Sequence, residues 1–266
     1  MDIKLRYAKY DDIPVLKELW QICFGDRMRY IDVFFDRMFC CDDTVIAEVG
    51  KKVVGVVYLL NRSLDGKKIM YGYAIGVYPE FRGNNICEKM LYFIKEKAQK
   101  ENCIFCLHPA NEKLTHFYKK LGLNEMYYLK EVNYTGKMSD ELYPLKNIDT
   151  QEFFDLRRQA FSNNVEWSFD ALDYILQNGE IVKKISLQNK NLYFVISVQD
   201  DTLLIKETNA TDDEIALINK SLMTHFDTDK TIYILQSKST LHGSIKPMVL
   251  GFSEANTDVY MNLFLD

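Results

Sequence analysis

Two short stretches hold residues whose types and spacing could do chemistry. The first is Arg82-Gly83-Asn84-Asn85-Ile86-Cys87, between a strand-like run that reaches Pro79 and a helical pattern with Ile86, Met90, Leu91, Ile94 and Ala98 on one face. A helix N-terminus carries backbone N–H groups without intrahelical partners, and its dipole adds about half a positive charge. That combination suits a phosphate. Arg82 contributes a full charge, Gly83 removes a side chain, and Asn85 tolerates left-handed backbone angles. An ordinary strand-to-helix turn is the competing reading. The second stretch is HPANEKLTHFYKKLGL, residues 108–123. Here Leu114, Phe117, Tyr118 and Leu121 form an apolar face, and Asn111 stands where a helix N-cap is expected. Tyr118 is then a core aromatic with its hydroxyl at the rim.

Other chemistries are disfavoured. Cys103 and Cys106 form a C-x-x-C near His108 and His116, but no second cysteine pair follows at zinc spacing. CIFCL reads as a buried strand, so no metal is expected. Six cysteines in 266 residues are not a disulfide framework and should be thiols in a reducing compartment. The net charge of −5 argues against nucleic acid and mildly favours a cationic partner such as an amine. The longest apolar run, VVGVVYLL at 53–60, is far short of the roughly 18 residues that span a bilayer. MDIKLRYAKYDD has no apolar segment of the signal-peptide kind, so no membrane and a cytoplasmic location are expected. The oligomeric state is not readable.

The elements that must position these residues follow from periodicity. IKLRYA (3–8) reads as a strand. Asp11 or Asp12 then caps a helix whose stripe is Leu16, Leu19, Trp20, Cys23 and Phe24. A second helix covers 29–39, and strands cover 44–49, 53–60 and 68–77. Gly72 and Gly76 lie inside the last of these and mark a bulge or a close approach by ligand or backbone. A helix over 84–100, a strand at 103–107, a helix at 112–121 ended by Gly122, and a strand at 126–134 complete the first half. Residues 135–151 read as a connector.

Beyond it the pattern restarts. LWQICFGDRMRYIDVFFDRMF from Leu19 is echoed by LRRQAFSNNVEWSFDALDYIL from Leu156, with Phe161 and Trp167 standing for Phe24 and Tyr30. LGLNEMYYLKEVNY from Leu121 is echoed by LGFSEANTDVYMNLFLD from Leu250, which indicates an internal repeat. The second half has a strand and helix in 202–226 but no Arg-Gly loop between them, and Asn209 to Asp213 offer only a normal cap.

Taken together, these motifs resemble the GCN5-related N-acetyltransferase (GNAT) family. Its cofactor loop reads Arg/Gln-x-x-Gly-x-Gly/Ala, and Arg82 to Cys87 occupy that frame. Asn111 with Phe117-Tyr118-Lys119-Lys120-Leu121-Gly122-Leu123 is similar to its N…FYxxLGF signature. Asn85 and Cys87 depart from the glycine and the glycine or alanine that the family prefers. The resemblance implies an α/β fold (an α+β mixed sheet) of two tandem acetyltransferase-like domains. Each would be a central, mostly antiparallel sheet flanked by helices. The expected boundaries are 1–136 for the acetyl-CoA-binding domain, 137–151 for a linker and 152–266 for a degenerate copy.

For the site, the resemblance implies acetyl-CoA as co-substrate. Its pyrophosphate would lie on Arg82, Gly83, Asn84, Asn85, Ile86 and Cys87, its pantetheine along Ile75, Gly76 and Val77, with Asn111 nearby. Tyr118 would protonate the departing thiolate. The acceptor would be a primary amine of a small molecule or peptide, attacking directly rather than through an acyl-Cys87 intermediate. A lysine-like amine needs about 4.6 kcal/mol at pH 7 to lose its proton. The strand KIMYGYAIGVY carries no carboxylate to take it. Glu80, Tyr73, a water chain and the C-terminal carboxylate of Asp266 all remain candidates. A non-catalytic acyl-CoA binding or sensing protein is the alternative. A transferase using aminoacyl-tRNA would call for a basic surface, which the charge disfavours.

Overall fold

The computed structural model describes the chain except residues 65, 137–141, 161–164, 179, 253–260 and 262–266. Two compact units result, one of Met1–Met126 with Val249–Ala255, the other of Tyr127–Met248 with Asn256–Asp266.

The first unit begins with strand β1 (Ile3–Tyr7), helices α1 (Ile13–Phe24) and α2 (Met28–Arg37), and strands β2 (Thr44–Val49), β3 (Lys52–Leu64) and β4 (Lys67–Val77). Helix α3 (Ile86–Lys100), strand β5 (Ile104–Leu107) and helix α4 (Glu112–Lys120) follow, and strand β6 (Asn124–Thr135) begins in this unit and continues in the second. β1, β2, β3 and β4 pair antiparallel in chain order, and β5 adds parallel to β4 across the α3 crossover.

The stripe read on α1 buries Leu16, Leu19 and Trp20. Trp20 packs against Phe34 of α2 at 4.7 Å and against Tyr58 and Tyr73 of the sheet at 5.2 and 5.7 Å between ring centroids. α1 ends at Gly25, in the left-handed region at φ 76°. On α3 the buried residues are Ile86, Met90, Leu91, Ile94 and Ala98, the face its periodicity marks. Asp12 does not cap α1 with its side chain. Its carboxylate takes two hydrogen bonds from the Arg6 guanidinium, at 2.7 and 2.9 Å, and Arg6 also donates to Glu48.

The second unit repeats this order as far as β5, with no helix in the place of α4 among the described residues. β7 (Leu145–Asn147), α5 (Thr150–Ala160), α6 (Phe169–Gln177), β8 (Ile181–Leu187), β9 (Lys190–Gln199), β10 (Thr202–Thr208), α7 (Asp212–Phe226), β11 (Lys230–Gln236) and β12 (Ser244–Gly251) run in sequence. β7 to β10 pair antiparallel and β11 adds parallel to β10, the same signs as β1 to β5. The element order therefore supports the tandem reading. Residues 135–151 are not all connector: β6 runs on to Thr135 and β7 is a strand. Three residues with one partly buried position leave no readable alternation. Phe161 and most of the 250–266 echo lie outside the described residues.

Each unit closes with a strand from the other half of the sequence. Leu250 and Gly251 of β12 pair antiparallel with Leu107 and Cys106 of β5. β6, from Leu129 to Thr135, pairs antiparallel with β11. Tyr127, the first residue of the second unit, lies within β6 at φ 49°. Among the described residues no helix is long and apolar enough to cross a membrane, and no group of three or more His, Cys, Asp or Glu could share a metal ion.

Candidate active site

The site is made where β4 leaves β5. Their pairing ends at Gly72 with Leu107. On the other side of β4, Val56 pairs with Gly76 and Tyr58 with Tyr73, so β4 carries one extra residue, and Ala74 sits there at φ 43°. This is a β-bulge, which bends a strand and interrupts its ladder. Beyond it, Ile75, Gly76 and Val77 line a cleft of about 880 Å³ with α3 and α4 on its other walls.

The bare faces of the two glycines are closed by side chains. A Cβ on Gly76 would come within 2.9 Å of Leu19 and 3.2 Å of Cys23, and one on Gly72 within 3.1 Å of Phe105. Gly76 is needed so that α1 can close on the strand, which brings Cys23 and Phe24 into the cleft wall. These two were missed because they complete a regular helical stripe.

The loop into α3 passes through two left-handed positions. Gly83 is at φ 80°, and Asn85 is at φ 58°, ψ 22°. Asn85 makes no side-chain cap, and the first bond of the helix runs from the Lys89 N–H to the Asn85 carbonyl at 3.0 Å. The mouth of α3 thus stays open toward the cleft, which Arg82, Gly83, Asn85, Ile86 and Cys87 all line. Asn84 does not line it. Its amide donates to the carbonyls of Phe81 and Arg82 at 3.0 and 3.2 Å and so braces the loop from within. Arg82 is anchored by its Nε, which donates to the Val77 carbonyl at 3.0 Å. Cys23 donates to the same carbonyl at 3.4 Å.

On α4, Asn111 caps the helix by accepting the Leu114 N–H at 3.0 Å, and it also lines the cleft. Tyr118 is 5% exposed and lines the same cleft. Burial, then Cys87, pushes its phenol above the usual tyrosine range, so it holds its proton at neutral pH. Burial and then Glu88 push the Cys87 thiol up to about 12, which leaves almost no thiolate to act as a nucleophile.

The candidate bases are elsewhere. Glu80 is exposed and paired with Lys52 at 3.1 Å; its own backbone N–H and then Lys52 hold its carboxylate below the usual range. Tyr73 is buried, with its hydroxyl 2.7 Å from that of Tyr30. Asp266 lies outside the described residues. Of the C-x-x-C pair, Cys106 is buried and Cys103 stands half-exposed before β5.

A mixed sheet parted at a bulge thus stands beside an uncapped helix mouth and a buried phenol. Residues 13–123 match the model of the acetyltransferase (GNAT) family. The fold is also similar to that of a conserved protein from Enterococcus faecalis V583 described as a probable N-acyltransferase. That likeness has a TM-score of 0.70 at 13% identity and covers 94% of this chain and 72% of the other. A GCN5-related N-acetyltransferase from Anabaena variabilis is similar over the same shares, with a TM-score of 0.69 and 16% identity. One from Sphaerobacter thermophilus is similar over 96% of this chain and 97% of its own, with a TM-score of 0.53 and 11% identity. No curated protein matches the sequence.

Proposed function

We propose that the chain is a cytoplasmic, acetyl-CoA-dependent N-acetyltransferase acting on a primary amine of a small molecule or peptide. The observation that carries this is the left-handed Asn85 at an uncapped α3 mouth, opening into the cleft that Tyr118 also lines. The residues fit the cofactor: backbone N–H groups and Arg82 for pyrophosphate, and the freed stretch Ile75–Val77 for pantetheine. Acetyl-CoA supplies the activated acyl group. Tyr118, protonated at neutral pH, donates a hydrogen bond and then a proton to the sulfur that leaves. A thiolate in the same apolar cleft also becomes more basic, which favours that transfer. The amine attacks directly, because Cys87 stays a thiol.

The test is acetyl-CoA consumption over a panel of primary amines, with Tyr118→Phe beside the wild type. Turnover should fall at least about tenfold in the variant, the lower range for loss of a general acid, while cofactor affinity holds. Unchanged turnover would remove Tyr118 as the acid. One observation favours a second reading, a protein that binds or senses acyl-CoA without turnover. Among the described residues, the one carboxylate lining the cleft is Glu88, in the first turn of α3, and Glu80 is engaged by Lys52. Cofactor binding with no amine acetylated would support that reading.

A further inference from the structure

This inference rests on the acyl-CoA reading of the cleft and concerns which part of the cofactor it selects. Coenzyme A carries three phosphates, two in the pyrophosphate and a third as a monoester on the ribose 3′-oxygen. Among the described residues, two cationic side chains line the cleft, Arg82 and Lys113. Arg82 belongs to the pyrophosphate loop and is anchored there through Nε. Lys113 stands on a different wall, in the first turn of α4.

Its position is electrostatically costly for the helix. The N-terminal turn favours acidic side chains, and a cation there opposes the dipole. Some lysines of this unit are held by carboxylates, Lys97 by Glu101 at 2.9 Å and Lys119 by Glu125 at 2.5 Å, but neither of these lines the cleft. Among the described residues none lies within ion-pair distance of Lys113. An exposed, unpaired ammonium at the mouth of a polyanion's cleft, apart from the pyrophosphate loop, is placed for the remaining phosphate.

We propose that Lys113 binds the 3′-phosphate of coenzyme A, so that the cleft selects CoA thioesters over dephospho-CoA thioesters. The experiment is calorimetric titration of the full chain with CoA and with dephospho-CoA, for the wild type, Lys113→Gln and Lys113→Arg. The wild type should prefer CoA by about three- to fivefold, the range of an exposed ion pair. Lys113→Gln should lose that preference by weakening CoA alone, and Lys113→Arg should keep it. A wild type without preference overturns the proposal. So does a Lys113→Gln variant that weakens both ligands equally, which would put Lys113 on the pyrophosphate, or one that changes neither. Binding of neither ligand by the wild type would instead overturn the acyl-CoA reading itself, and this inference with it.

Discussion

Asn85 shows how a residue that departs from a family pattern can keep the geometry that pattern serves. Asparagine enters the left-handed region more readily than other non-glycine residues, and the structure holds it there at φ 58° with its side chain uninvolved in capping. Asn85→Gly should therefore bind acetyl-CoA as well as the wild type or better, measured by titration. A loss beyond about tenfold, about 1.4 kcal/mol, would assign the side chain a role the geometry lacks. Much of this site was legible at the residue level. The Arg82–Cys87 frame and the Asn111…Tyr118 spacing are local in sequence, so the chain order itself displays them. Cys23, Phe24 and Lys113 were not legible as cleft residues, because which neighbour a helix face meets is decided by tertiary packing.

At the scale of elements, the opening in the sheet depends on the bulge at Ala74. No residue type there announces it, since a bulge is a property of pairing between strands rather than of one strand. Glycine was the available signal: Gly72 and Gly76 marked a bulge or a close approach, and the bulge lies between them while Gly76 admits α1. A second element-level device is the Arg6–Asp12–Glu48 cluster, which ties β1 to β2 and to the start of α1. Hydrogen bonding to Arg6 lowers the pKa of Asp12 in the folded chain. A depressed carboxylate adds stability above its unfolded pKa, near 3.9, and loses it as pH falls through the folded value. Asp12→Asn should cost about 1–3 kcal/mol at pH 7, and the gap to the wild type should narrow below about pH 4. Denaturant unfolding at both pH values checks this. An equal gap at both would mean the cluster does not act through charge.

For the whole chain, the two units share element order and strand signs through the crossover helix and the strand after it, but differ at that helix's mouth and, among the described residues, in the absence of a second α4. Where Asn85 leaves α3 open, Thr211 closes α7 with a capping box: its hydroxyl accepts the Glu214 N–H, and Glu214 accepts the Thr211 N–H at 2.7 Å. Asp212, Asp213 and Glu214 add negative charge in that first turn, which repels a phosphate. The strand ahead of it places Glu207 next to a register shift, and that carboxylate is fully buried against Arg157 and Tyr193. The repeat was legible as periodicity, but the strands that complete each unit were not. β6 and β12 pair with partners far off in sequence, and periodicity carries no information about partners. On the proposed function, one helix mouth of the two is a pyrophosphate cradle. Calorimetric titration of the full chain with acetyl-CoA tests it most directly. Saturation at one cofactor per chain is the predicted result. No binding at millimolar cofactor, or two sites per chain, would contradict it.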